Sequence, residues 1–255
     1  MARFSLSQNK EELFTFLANT IANFKFIEGK QIYVTLKSRV LTNDVPMSDC
    51  SHEEADTRML IHLRAALENR LTSFLVRTVD TDVIIILLGK YHGIRQVCSR
   101  LNLWVRFGVG KAVKNIHINA TFEHLGAKVS RALPFFHAFT GSDTTSAFKF
   151  KAKKSAWQAW KTYRSITDVF EEMSQKPFSL IEKDSTNFQK IQKFVIQMYS
   201  SNLETASVDE ARMLLFAQNQ NMERIPPTCD ALLHHAKRAA YQAGKKNKKE
   251  KKKVK

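Results

Sequence analysis

Long apolar runs are what this sequence most clearly lacks. The longest, Val83 to Leu88, has six residues, far short of the roughly 20 needed to cross a bilayer. The opening residues, MARFSLSQNKEELF, carry no apolar signal core and no small-residue cleavage site, so a soluble, intracellular protein with no membrane partner is expected. Cysteine is also scarce. Cys50, Cys98 and Cys229 are odd in number and scattered, with no pairing motif and no metal-ligand spacing; this excludes a disulfide framework and leaves reduced thiols as the expectation. There is no internal repeat, and only the tail KKNKKEKKKVK, residues 245 to 255, is low in complexity. Carboxylates are in deficit, with 24 Asp and Glu against 40 Lys and Arg, which gives a net charge of +16.

What is present is enough to fold. The chain has 255 residues, 44% of them hydrophobic, and can bury a core as one large domain or one domain with an appendage. The tail holds eight Lys and one Glu, so it supplies +7 and leaves +9 on residues 1 to 244. A basic body attracts polyanions, and nucleic acid is the commonest of these inside a cell. Charge alone fits a merely basic soluble protein equally well. The tail reads either as a nuclear import signal or as a nonspecific nucleic-acid arm.

Apolar spacing predicts a helix over residues 9–24 and a strand over 30–38, followed by a polar loop, RVLTNDVPMSDCS. SHEEADTRMLIHLRAALEN (51–69) is the clearest helix of the sequence. Next come FLVRTVD as a strand, VIIILLGKYHG as a short buried element, NLWVRFG and NIHIN as strands, and ATFEHLG as the start of a helix. Strands alternating with helices imply an α/β fold with a mainly parallel, helix-covered sheet. From about residue 150 the strand signals fade into five helical segments broken at Pro177 and Pro226-Pro227. The expected organisation is an α/β core over 1–150, a helical region over 151–244 and a disordered Lys-rich tail over 245–255.

Three acidic clusters stand beside apolar segments: HEEADTR (Glu53, Glu54, Asp56), VDTDV (Asp80, Asp82) and TGSDTTS (Asp143). Asp80 closes a predicted strand, and in extended geometry Asp80 and Asp82 share one side. In an α/β sheet, ligands gather in the crevice at the carboxyl ends of the strands. Each cluster also has a plain structural explanation. Ser51 and Glu54 form a capping box, Asp56 is favoured by the helix dipole, Asp80 can be an N-cap, and GSDTTS can be a polar turn leading into a helix. A shared cation accounts for the three together. Hard oxygen ligands suit Mg2+ or Mn2+, which offsets the mutual repulsion of the carboxylates. Two such ions about 4 Å apart activate water and stabilise the leaving oxygen of a phosphodiester.

With E-A-D opening a helix, T-x-D-x-D ending a strand and G-x-D in a later turn, the chain resembles the carboxyl-terminal part of the flap-endonuclease branch of the PIN-like nucleases. The runs SHEEADTRMLIHLRAAL, VRTVDTDVIIILLGKYHG, IHINA, LPFFHAFTGSDTTSAF and KKSAWQAW are closer still to a group of multicopy animal proteins, transposon-like in distribution and of uncharacterised function. That similarity spans most of residues 4 to 243. It implies an incomplete PIN-like α/β domain followed by helices, descended from a metal-dependent, structure-selective nuclease. Glu54, Asp56, Asp80, Asp82 and Asp143 would hold one or two Mg2+ or Mn2+ ions, with Glu53, Thr78 and Thr144 supporting them. Lys111, Lys149, Lys151, Lys153 and Lys154 would contact nucleic acid, DNA in preference to RNA, and no small-molecule cofactor is implied. The chain departs from the family in several ways. About fifty residues precede Glu54, the strand QIYVTL carries no carboxylate, Ser142 stands where Cys is usual, and the tail is unlike the family. A truncated chain lacking the first strand is therefore expected, and with it a second function: a non-catalytic nucleic-acid-binding or interaction protein of the same descent.

FLVRTVDTDVI also fits the opening motif of haloacid dehalogenase-like phosphatases, with Asp80 as nucleophile and Asp82 as acid/base; GSDTTSA lacks the second acid that fold needs. Trp157 and Trp160 suit base stacking and, at i and i+3, suit helix packing. GVGK (108–111) lacks nucleotide-loop spacing and is expected to be a plain turn. Cys50, His52 and His62 lack the second close pair of a zinc site. His234 and His235 are expected to be solvated.

Overall fold

The computed structural model describes residues 6–24, 30–43, 55–176, 181–219 and 221–247. The chain forms two compact units, Met1–Leu71 and Thr72–Lys255. The fold is mixed α/β, with little sheet and many helices.

The first unit holds α1 (Leu6–Asn23), a hairpin of β1 (Tyr33–Leu36) and β2 (Arg39–Thr42), and α2 (Ala55–Glu68). The polar loop expected from Arg39 onward is instead strand as far as Thr42. Lys37 takes a left-handed conformation (φ 54°), so the chain reverses within two residues and pairs Tyr33 with Thr42 and Leu36 with Arg39. Asn43 closes the hairpin base: its Oδ1 accepts from Ile32 N–H (2.8 Å) and its Nδ2 donates to the Lys30 carbonyl (3.1 Å). Thr35 Oγ1 and His62 Nε2, 2.9 Å apart, tie the hairpin to α2.

In the second unit a three-stranded sheet comes first, formed by β3 (Ser73–Thr78), β4 (Asn102–Phe107) and β5 (Lys114–His117) in that order. β3 and β4 are parallel, with Phe74 opposite Leu103 and Thr78 opposite Phe107. β5 is antiparallel to β4, with Trp104 opposite His117, so the sheet is mixed rather than mainly parallel. The cause is length: six residues separate β4 from β5, and a parallel crossover needs about a dozen or more. The GVGK segment is a turn, as expected, with Gly108 at φ 96° and a short 3-10 helix at Gly110–Ala112.

Between β3 and β4 runs α3 (Thr81–Val97). The apolar run Val83–Leu88, expected as a short buried element, is the first half of this 17-residue helix. Its β-branched composition favours a strand, but Asp80 supplies an N-cap and Val83, Ile86, Leu87, Tyr91 and Ile94 are buried at helical spacing. Local capping and a one-sided apolar stripe prevail over propensity.

Seven more helices follow among the described residues: α4 (Ile118–Leu125), α5 (Ala127–Phe139), α6 (Lys153–Thr162), α7 (Thr167–Gln175), α8 (Thr186–Tyr199), α9 (Val208–Asn219) and α10 (Cys229–Asn247). The five segments read as helical beyond residue 150 are all helices. Pro177 and the tail beyond Asn247 lie outside the described residues, and residues 245–247, assigned to the disordered tail, are the last turn of α10.

The core of this unit is built around α5, which packs against α3, α7 and α10 and buries every residue from Ala132 to Phe139. Phe135, Phe139, Phe170 and Phe194 are fully buried in one aromatic cluster, with ring centroids 5.1 to 6.3 Å apart. Each such ring contributes about 1.5–3 kcal/mol through burial. Pro134 interrupts the α5 hydrogen-bond ladder, because it has no N–H to offer the Ser130 carbonyl. α7 compensates: Ser174 Oγ, fully buried, accepts from Phe135 N–H (3.0 Å). Across the other side, Pro134 Cγ would stand 2.9 Å from a Cβ placed on Gly89 of α3, so glycine is what lets the two helices approach.

Candidate acidic site at the start of the third helix

The site grows from the carboxyl end of β3. After Thr78 the chain leaves the sheet, and Thr78 Oγ1 accepts from Asp80 N–H (3.0 Å). Asp80 is extended (φ −98°, ψ 126°) and its Oδ1 accepts from Asp82 N–H (2.8 Å), the N-cap geometry of α3. Asp82 is already in the first helical turn, where the dipole favours its charge. The two acids therefore do not share the side of an extended strand. Asp80 turns back onto the backbone, while Asp82 reaches α5, where its Oδ1 accepts from His137 Nε2 at 2.6 Å. The side chains of this pair are 14% and 10% exposed.

His137 lies in the last turn of α5, and its surroundings are polar on the backbone side. The helix ends at Thr140, and Lys153 Nζ donates to the carbonyls of His137 (2.8 Å) and Gly141 and to Thr140 Oγ1 (3.0 Å). A cation at a helix C-terminus satisfies carbonyls that have no partner in the helix and opposes the negative end of its dipole. Gly141 (φ 105°) turns the chain where a Cβ would stand 2.7 Å from Ala147 Cβ. The motif GSDTTS then forms a tight turn, with backbone hydrogen bonds in both directions between Ser142 and Thr145 (3.1 Å each). Thr145 Oγ1 is buried and donates to the Ala138 carbonyl (2.6 Å). Asp143 and Thr144 stand exposed at the turn tip, and no helix begins until Lys153.

Of the expected metal ligands, Asp80 and Asp82 are brought together through the cap, and Asp143 lies on a turn anchored to α5. Glu53 and Glu54 lie outside the described residues, and Asp56 is in α2 with its side chain outside them. Among the described residues, no group of three or more His, Cys, Asp and Glu side chains is placed to hold a metal ion. The residues present fit such an ion only partly, since one oxygen of Asp80 and one of Asp82 already accept hydrogen bonds. Cys50 and His52, of the weak zinc reading, also lie outside the described residues.

The lysines divide in a similar way. Lys111 and Lys154 are exposed. Lys149 pairs with Glu223, and Lys151 sits over the Tyr199 ring (4.8 Å), where burial lowers its pKa. Lys153 is engaged at the end of α5. Trp160 is buried, donates to Thr167 Oγ1 (2.8 Å) and packs edge-on to Trp157 at 5.1 Å and against Phe136 at 4.7 Å. This is core packing.

Two histidines differ from what the sequence suggests. His137 was not singled out, and its signal was a lone imidazole inside the apolar helix LPFFHAF. His234 is exposed as expected, but His235 is buried against Phe139 and Phe148. Its Nε2 donates to the Phe139 carbonyl (2.7 Å) while Nδ1 lies 3.3 Å from Ser146 Oγ. Burial pushes its pKa below the usual imidazole value, with the Phe139 hydrogen bond acting in the opposite direction. The misreading came from the charged neighbours of His235, which occupy the outer face of α10.

Comparison of the chain with protein-family models, with curated proteins and with solved structures finds no match.

Proposed function

We propose that this chain is a nucleic-acid-binding domain of PIN-like nuclease descent, in which the acidic pair of the ancestral metal site has become a fastening between α3 and α5. The observation that carries this is the Asp82–His137 hydrogen bond of 2.6 Å between two largely buried side chains. A carboxylate oxygen held there is committed to packing before any ion arrives. The net charge of +16 supplies the attraction for a polyanion, with DNA as the preferred partner.

A second reading, metal-dependent cleavage, is favoured by the position of Asp80 and Asp82 just beyond β3, at the carboxyl end of the parallel strand pair. There Asp80, Asp82 and Asp143 would hold Mg2+ or Mn2+, and Thr78 and Thr144 would support them. The ion would activate a water for attack on a phosphodiester.

One assay separates the two. Fluorescence anisotropy with labelled flap, hairpin and single-stranded DNA is run alongside gel analysis of the same mixtures in Mn2+. Salt-dependent binding without cleavage is the expected result. Cleavage lost in Asp80→Asn/Asp82→Asn would establish the second reading instead, and absence of salt-dependent binding would end both.

A further inference from the structure

We infer that the groove between α10 and the Ser142–Thr145 turn is the surface that holds the backbone of single-stranded nucleic acid. The inference rests on the nucleic-acid reading above and names a surface outside the five lysines considered so far. The groove encloses about 460 Å³ and is lined by Thr144, Lys237, Arg238, Tyr241, Gln242 and Lys245, among others, with no carboxylate in its lining.

The helix cannot turn this face away. Leu232, Ala236, Ala239, Ala240 and Ala243 are buried on the other side of α10, so the stripe Lys237, Arg238, Tyr241 and Lys245 faces outward by the 3.6-residue period. None of the three cations forms an ion pair among the described residues, in contrast to Lys149 and Lys183, which are matched by Glu223 and Asp230. From Lys237 to Lys245 the helix rises about 12 Å at about 1.5 Å per residue. That matches three to four nucleotides of a strand kept stacked at the duplex rise of about 3.4 Å each. Tyr241 is 50% exposed between the cations, with Lys245 Nζ 5.3 Å from its ring centroid. An aromatic ring inside a cationic stripe is the arrangement that stacks an unpaired base while its phosphates are neutralised, which is why a single strand fits better than a duplex or a lipid surface. The sequence continues the charge with Lys246, Lys248 and Lys249, and the turn on the opposite wall presents Thr144 and Thr145.

The test uses the full chain and a labelled oligothymidylate, with affinity measured between about 50 and 200 mM salt, the range over which phosphate contacts are most visible. The variant Lys237→Gln/Arg238→Gln/Lys245→Gln should reduce the slope of log K against log salt by about 2, at about 0.7 per neutralised phosphate. Tyr241→Ala should weaken single-strand binding by about fivefold or more with the slope unchanged, the effect of losing a base–aromatic stack. All four side chains are exposed, so melting temperatures should match the parent. If the parent binds and the triple variant keeps its slope, the groove is wrong and the nucleic-acid reading stands. If the parent binds no oligonucleotide, both fall. If the substitutions weaken binding only to duplex DNA or to phosphatidylserine vesicles, the choice of a single strand is overturned.

Discussion

Replacing Asp82 by Asn should destabilise the protein, and the sign of that change is the informative quantity. In the folded chain the Asp82 carboxylate accepts from His137 Nε2 at 2.6 Å with both side chains at least 86% buried by area. A hydrogen bond to a charged group is worth about 1.5–3 kcal/mol. Asp82 also sits in the first turn of α3, where a negative charge contributes about 0.3–1 kcal/mol through the dipole. Asn keeps an oxygen that can accept from His137, so the charge assistance, about 1–2 kcal/mol, and the dipole contribution are what is lost. The loss is about 1–3 kcal/mol, which for a unit of this size lowers Tm by about 2–12 °C at about 2–4 °C per kcal/mol. A carboxylate kept for metal behaves oppositely: crowded like charges repel in the ion-free protein, so removing one stabilises it. The assay is thermal and urea unfolding of the parent, Asp82→Asn, His137→Gln and the double variant, each with and without Mn2+. A coupling energy of at least about 0.5 kcal/mol between the two positions is expected. A higher Tm in Asp82→Asn, together with loss of a Mn2+-induced rise seen in the parent, would refute the fastening and restore the metal site.

Ser174→Ala should cost about 1–3 kcal/mol, because it leaves the buried Phe135 N–H without its side-chain acceptor; urea unfolding measures it, and a change below about 0.5 kcal/mol would show that α5 needs no help beside Pro134. Thr145→Val, nearly isosteric, should cost a similar amount, about 1–3 kcal/mol, through the lost hydrogen bond to the Ala138 carbonyl, whereas Asp143→Asn at the exposed tip should stay within about 0.5 kcal/mol. Stability should also fall with acid because of His235. Its folded pKa lies below the unfolded value of about 6.5, so the unfolded chain binds the extra proton first. The contribution is fully present above the unfolded pKa and is lost as pH falls from there through the folded pKa. A pH series of unfolding free energies, flattened in His235→Gln relative to the parent, would show it, and identical curves would exclude it.

Helices were the most legible part of the sequence, because a buried stripe at 3.6-residue spacing survives in residues such as Phe188, Ile191 and Val195 of α8 whatever packs against them. Strand positions were legible except for β2, which was read as loop, but their directions were not: β5 is antiparallel because of a short connection, and connection length matters only once both ends are assigned. Val83–Leu88 misled because an unbroken apolar run has no period of its own, and only the capping chemistry of Asp80 distinguishes helix from strand there. The acids were legible as chemistry but not as partners. Nothing near Asp82 in the sequence indicates an imidazole 55 positions away, and a tertiary contact of that kind arises only when Gly89 and Pro134 let α3 and α5 close together.

The carboxyl end of α5 is where these features acquire a common logic. Four carbonyls at a helix end need partners, and Lys153 and Thr140 supply several of them. Thr145 takes the Ala138 carbonyl and in doing so fixes the turn that carries Asp143. The same last turn of α5 offers His137 to Asp82. An exposed acid and a largely buried one are thus positioned by the cap of a single helix, with a lysine from the region read as a nucleic-acid contact at its centre. Lys153 is engaged at that helix end, where its ammonium donates to the carbonyls of His137 and Gly141 and to Thr140 Oγ1. On the proposed reading the charge that meets a polyanion is carried by other cations, and the outward cations of α10 lie across from the turn that this cap holds in place.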